Sequence, residues 1–171
     1  MINIFIKRFF IFLVFLNLTS CGFQVIYKDQ FDETSIANKL ASIKIKKNRE
    51  QLHQKLKSNL LDVLNPDDIK VEPKYLLEVT FSTRTSPTFT NITGSAGRNK
   101  MTILANYQLK KLSDSNVISS GKTEAYDSYD VDINRYGTYS AEEFVKENLT
   151  KVIAQNIRNL IVSDLIDEKT P

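Results

Sequence analysis

Apolar and polar residues recur with two different periods along this chain, and the changes of period divide it into elements. Ser42-Ile43-Lys44-Ile45-Lys46 alternates apolar with basic, the period of two expected of a half-buried strand. Asn48 then stands as an N-cap with Gln51 three residues on, a capping-box spacing. Leu52, Leu56, Leu60, Val63 and Leu64 follow at helical spacing, with Lys55, Lys57 and Asp62 between them, an amphipathic helix. Asn65-Pro66-Asp67-Asp68 ends it, because proline cannot continue the hydrogen-bonded ladder. A shorter helical piece is expected around 35–40, within a polar linker.

Period two returns at 75–83, with Tyr75, Leu77, Val79 and Phe81 on one face and Leu76, Glu78, Thr80 and Ser82 on the other. The Thr-, Ser-, Pro- and Gly-rich stretch 84–99 reads as a long loop. Alternation resumes from Met101 through Ile103, Ala105, Tyr107 and Leu109, and again over 117–129. The turn residues Ser113-Asp114-Ser115-Asn116 between them make the pair an antiparallel hairpin. Ser140 and Glu143 form a second capping box. Behind it Phe144, Val145, Leu149, Val152, Ile153, Ile157, Leu160, Ile161 and Leu165 give an apolar stripe about two dozen residues long. Such a helix spans roughly 36 Å. The order β-α-β-β-β-α, with each helix apolar along one stripe, predicts an α+β fold. Two helices pack on one face of a four-stranded, mainly antiparallel sheet, leaving the opposite face polar. This single domain is expected over 42–166, behind a segment 21–41 and ahead of a charged tail, 167–171.

The first 20 residues stand apart from that pattern. A basic pair, Lys7-Arg8, precedes a short apolar run that ends at Leu18-Thr19-Ser20-Cys21, the layout of a secretory signal. Its end resembles the bacterial lipobox, in which the cysteine is acylated and the chain is cut just before it. That resemblance implies removal of residues 1–20, with a diacylglycerol and an N-acyl chain on Cys21. A plain signal peptide and an uncleaved anchor are the alternatives, although the apolar run falls short of the roughly 20 residues needed to span a bilayer. Gly22, not Asp, follows the cysteine, which favours the outer membrane.

Charge changes the picture little. The whole chain carries +3, and loss of Lys7 and Arg8 leaves 21 basic against 20 acidic residues, so a nucleic-acid partner is not expected. Cys21 is the only cysteine and His53 the only histidine, which excludes zinc sites built from those ligands. His53 lies among Gln51, Gln54 and Lys55 and reads as a solvated helix position. Gly94-Ser95-Ala96-Gly97 lacks the Gly-Lys-Ser/Thr of a phosphate-binding loop. Asp127, Asp130 and Asp132 read as solvated loop carboxylates, a shared cation site being the lesser reading. No nucleophile has a triad, no cofactor beyond the acyl chains is implied, and an enzyme is not expected. Binding remains. Arg84, Arg98 and Lys100 bracket the long loop, and Lys110, Lys111 and Lys122 lie near the hairpin. Together they offer charge-assisted contacts to phosphate or carboxylate, unless they are ordinary surface charge.

Several stretches together resemble a known family. They are Cys21-Gly22-Phe23, the strand at 43–45, the helix 52–66, and Tyr75-Leu76-Leu77-Glu78-Val79-Thr80. The run from Ala105-Asn106-Tyr107 through Gly121 to Ala125-Tyr126 and Tyr129 completes the set. In order and spacing they are similar to the lipopolysaccharide-assembly lipoprotein LptE of alphaproteobacterial type, over nearly the whole chain beyond Cys21. The resemblance implies an outer-membrane lipoprotein facing the periplasm. It would form a complex with the β-barrel LptD, assist barrel assembly and help insert lipopolysaccharide into the outer leaflet. It assigns no binding residue; Arg84, Arg98 and Lys100 are candidates for lipopolysaccharide on charge and position alone. An accessory or scaffold lipoprotein of another envelope transport complex is the alternative.

Overall fold

Strands whose side chains alternate must bury one face and leave the other to water, and the helical stripes provide the cover. The computed structural model describes residues 33–90 and 96–167. The leader 1–20, Cys21 and tail residues 168–171 lie outside the described residues. The elements are helix α1 (Glu33–Ala41), strand β1 (Ile43–Ile45), helix α2 (Gln51–Leu64), strands β2 (Tyr75–Thr90), β3 (Ala96–Lys111) and β4 (Val117–Asp130), and helix α3 (Arg135–Asp167). The strands form one sheet in chain order. β1 runs parallel to β2, with α2 as the connection, and the other two pairings are antiparallel. This is the α+β arrangement expected from the patterning, and α1 is the helical piece read near 35–40.

The core lies between the helices and the odd-numbered residues of the sheet. Leu77, Met101, Ile103, Ala105, Tyr107 and Leu109 are buried from below, and Leu56, Leu60 and Leu64 of α2 from above. Among the described residues the buried side chains of α3 are Val145, Leu149, Thr150, Ile153, Ala154, Ile157, Ile161 and Leu165. A step of four residues turns about 40° past a full helical turn, so the row from Val145 to Leu165 winds around α3, which packs against β4, α2 and β3. The expected stripe was wider: Phe144, Val152 and Leu160 are exposed.

Polar contacts fix the register of α3 within this packing. Asn59 Nδ2 donates to Thr150 Oγ1 (3.0 Å), joining α2 to α3, and Asn156 Nδ2 donates to Thr123 Oγ1 (3.1 Å), joining α3 to β4. Ser119 Oγ lies 2.5 Å from Asp164 Oδ2 and 3.2 Å from Tyr107 Oη. The single serine proton goes to the carboxylate, so the tyrosine hydroxyl is left to donate to Ser119. Burial raises the Tyr107 pKa, which keeps that proton in place. Among the described residues no buried side-chain polar atom lacks a partner.

Three boundaries differ from the sequence reading. The stretch 84–99 is not a long loop. β2 runs to Thr90 and β3 starts at Ala96, and the pairing reaches Thr90↔Ala96 through irregularities beside Phe89. Thr83, Thr85, Thr88 and Thr90 are β-branched and suit extended backbone. Pro87 is tolerated for a positional reason. The Leu77 carbonyl accepts from Lys46 N–H at 2.9 Å, so odd-numbered residues of β2 turn their backbone toward the β1 side. β1 pairs only with Tyr75, Leu76 and Leu77. Pro87 therefore lacks its N–H on an edge where, among the described residues, no ladder needs it. The second difference is at α3, which begins at Arg135 and not behind Ser140. Asn134 Oδ1 accepts the Tyr136 N–H at 3.0 Å and serves as the cap. The third is at α2, whose N-cap is Glu50, with Asn48 accepting the Glu50 N–H at 3.3 Å.

Candidate functional site

Side chains of even-numbered residues in β2, β3 and β4 project from the sheet face opposite the helices. Successive cross-strand rows there read Arg84–Thr102–Tyr126, then Ser86–Lys100–Ser128, then Arg98–Asp130. Lys100 is thus a diagonal neighbour of both Arg84 and Tyr126, within reach of long side chains. Its Nζ lies 3.7 Å from the centroid of the Tyr126 ring, and that ring is 65% exposed. A cation over an aromatic face is held electrostatically. Arg84 is exposed and makes no ion pair with any described residue. Arg98 Nε lies 3.4 Å from Asp130 Oδ1.

Strand pairing therefore brings the three predicted cations to one face, as members of strands and not of a loop. They are not equivalent. Arg84 offers an uncommitted guanidinium fork, able to bind a phosphate or carboxylate in bidentate fashion. Lys100 offers an ammonium already oriented by Tyr126. Arg98 is partly neutralised by its carboxylate neighbour. The aromatic ring was not foreseen as part of the group. Its period-two position assigns its face, but its meeting with Lys100 depends on the β3–β4 register, which shifts at Leu109/Lys110.

The same sheet face carries a second cluster near β1. Lys46 Nζ and Lys110 Nζ each approach Glu78 at 2.7 Å, one on each carboxylate oxygen. The hydrogen bond from Lys110, then that from Lys46, hold the Glu78 carboxyl at about 2, against an ordinary 4.5. Lys110 is thereby committed to the sheet and removed from the candidate cations. Lys122 stands on β4 opposite Asn106, away from the Arg84 row.

The remaining sequence candidates separate. His53 is not a solvated position: its side chain is 13% exposed, its ring centroid lies 4.1 Å from that of Phe81, and Nδ1 is 2.8 Å from Glu50 Oε2. Asp127 and Asp130 belong to β4 and, three apart, point to opposite sheet faces; Asp132 follows the strand and accepts the Asn134 N–H. Among the described residues no group of three His, Cys, Asp or Glu side chains is placed to hold a metal. Cys21 and Gly94-Ser95 lie outside the described residues. Among the described residues no helix is long and apolar enough to cross a membrane.

No family model matches the chain, and no curated protein is similar to it in sequence. Solved structures share its fold. A Caulobacter crescentus protein described as a lipoprotein superposes with a TM-score of 0.64, at 16% identity, over 80% of this chain and 99% of its own. The rare lipoprotein B of Shewanella oneidensis does so with a TM-score of 0.54, at 17% identity, over 74% and 96%. A minor lipoprotein of Acinetobacter baumannii gives 0.50, at 17% identity, over 71% and 89%.

Proposed function

We propose that a chain sharing its fold with these three lipoproteins is itself an LptE-like lipoprotein, anchored in the outer membrane through acyl chains on Cys21 and facing the periplasm. It forms a complex with a β-barrel of the LptD kind, assists assembly of that barrel and helps insert lipopolysaccharide into the outer leaflet. The observation that carries this reading is the shared fold, which spans nearly the whole of the Caulobacter protein. The sequence resemblance to LptE points the same way. The polar sheet face suits a body seated in a wet barrel interior, since its Thr, Ser, Asn, Gln and Lys side chains keep partners in water. On that face Arg84 and Lys100, with Tyr126 beside them, are the groups we assign to lipid A phosphates and the attached sugar; Arg98 is the third candidate.

Affinity purification of the tagged chain from its own membranes tests the complex: a large β-barrel is expected to co-purify. Recovery of other envelope subunits with no barrel would favour the scaffold alternative instead. Depletion tests the transport role, and normal surface lipopolysaccharide after complete loss of the protein would refute it.

A further inference from the structure

Basic residues are concentrated in one short stretch of a chain that is otherwise nearly neutral. Positions 44–57 hold Lys44, Lys46, Lys47, Arg49, Lys55 and Lys57 against a single acid, Glu50. Folding neutralises only part of this charge. Lys46 pairs with Glu78, Lys55 with Glu143 at 3.3 Å, and Glu50 is turned to His53. Lys47, Arg49 and Lys57 make no ion pair with any described residue. The fold gathers these three around one open cleft of about 670 Å³ between the β1–α2 connection and α2. Gln54, Lys57, Ser58 and Leu61 supply its α2 wall, spaced i, i+3, i+4 and i+7 so that they share one side of the helix. Among the described residues no carboxylate lines it.

We infer that this cleft is a phosphate-binding site, separate from the Arg84–Lys100 face. Three cations held together without an acid repel one another, and a multiply charged anion between them removes that repulsion. Arg49 supplies a planar fork that fits two phosphate oxygens, and Lys47 and Lys57 supply point charges. The Ser58 hydroxyl and the Gln54 amide add neutral donors. Leu61, 44% exposed at the end of the same wall, gives the ester side of a phosphate an apolar surface. The phosphate is presented either by the headgroup of an anionic lipid or by a free phosphate ion. The site stands independently of the complex proposed above.

The test uses the full chain in a neutral detergent, with lysine acylation followed by mass spectrometry. Inorganic phosphate and dihexanoyl phosphatidylglycerol are the probes, each compared with chloride at equal ionic strength, and exposed Lys70 is the internal reference. Slower labelling of Lys47 and Lys57 with both probes is the expected result and means that the phosphate group itself is recognised. Slowing with the lipid alone assigns the site to headgroups, and slowing with inorganic phosphate alone assigns it to the free ion. No slowing, or equal slowing at Lys70, overturns the site. Arg49→Glu, an exposed connecting residue, is expected to raise the concentration for half protection roughly tenfold, since each basic residue lost near an anionic surface weakens binding about fivefold and this change also adds a repulsion. Arg49→Gln, which leaves the connection neutral, is expected to do so about fivefold. Unchanged protection in both variants refutes the inference.

Discussion

Gly121 and Tyr107 are direct partners across β3 and β4, and the tyrosine ring lies over the glycine. A Cβ at position 121 would stand 2.9 Å from Tyr107 Cε1, 3.1 Å from Oη and 3.2 Å from Cζ. Carbon atoms settle at about 3.5–4.0 Å, so Gly121→Ala requires the ring to retreat by roughly half an ångström or more. The ring has nowhere to go. Tyr107 is almost fully buried, and its hydroxyl is tied to Ser119, which is tied in turn to Asp164 of α3. Overpacking of this kind costs about 1–3 kcal/mol. Against it stands a gain of roughly 0.5–1 kcal/mol from replacing a strand glycine by alanine. The expected net loss is about 1–2 kcal/mol, a fall in Tm on the order of 5 °C. Urea unfolding of the parent, Gly121→Ala, Tyr107→Leu and the double variant measures both the loss and its origin. The double variant should recover the overpacking term, giving a coupling of about 1–2 kcal/mol. A parent-like or more stable Gly121→Ala, or additive variants, would refute the account of ring-on-glycine packing.

Other consequences can be checked in parallel. Because the Glu78 pKa is depressed to about 2, its contribution to stability is fully present above 4.5 and is lost as pH falls from 4.5 through 2. At this half-exposed surface solvent screening limits that contribution to roughly 1 kcal/mol. The urea midpoint of Glu78→Gln should therefore lie below the parent's at pH 7, with the gap closing between pH 4.5 and 2; a constant gap would contradict the linkage. Ile157→Ala, at a fully buried position of α3, is expected to cost about 2–5 kcal/mol in the same assay. Phe144→Ala, on the exposed side of that helix, should change stability by less than about 0.5 kcal/mol. Arg84→Glu with Lys100→Glu is expected to weaken lipopolysaccharide binding at least tenfold with unchanged circular dichroism, charge-assisted hydrogen bonds being worth about 1.5–3 kcal/mol each. Arg98→Glu alone should do less, since Asp130 already offsets that cation.

The sequence by itself determined the order of the elements and the buried face of the strands at 75–81 and 101–109. Alternation from Met101 to Leu109 and the repeat of Leu56, Leu60 and Leu64 are local consequences of where apolar side chains must point, and they are readable without a partner. What it could not determine was anything that depends on which residue a strand meets. The stretch 84–99 looked like a loop because Thr, Ser, Pro and Gly are turn formers in isolation; only pairing between β2 and β3, with no described partner on the β1 side of Pro87, makes 84–90 and 96–99 strand. The second capping box misplaced the start of α3 for the same reason: Ser140 has capping chemistry, yet Asn134, four residues beyond the end of β4, is where the side chain caps the helix. The candidate site divides likewise. Charge and position named Arg84, Arg98 and Lys100, but as residues around a loop; only strand pairing put them on one face. The sheet register decided that Lys100 stands over Tyr126, that Asp130 offsets Arg98, and that Arg84 is left uncommitted. Side-chain direction is a property of one strand, whereas neighbours across a ladder are a property of two, and the second is fixed only when the sheet forms.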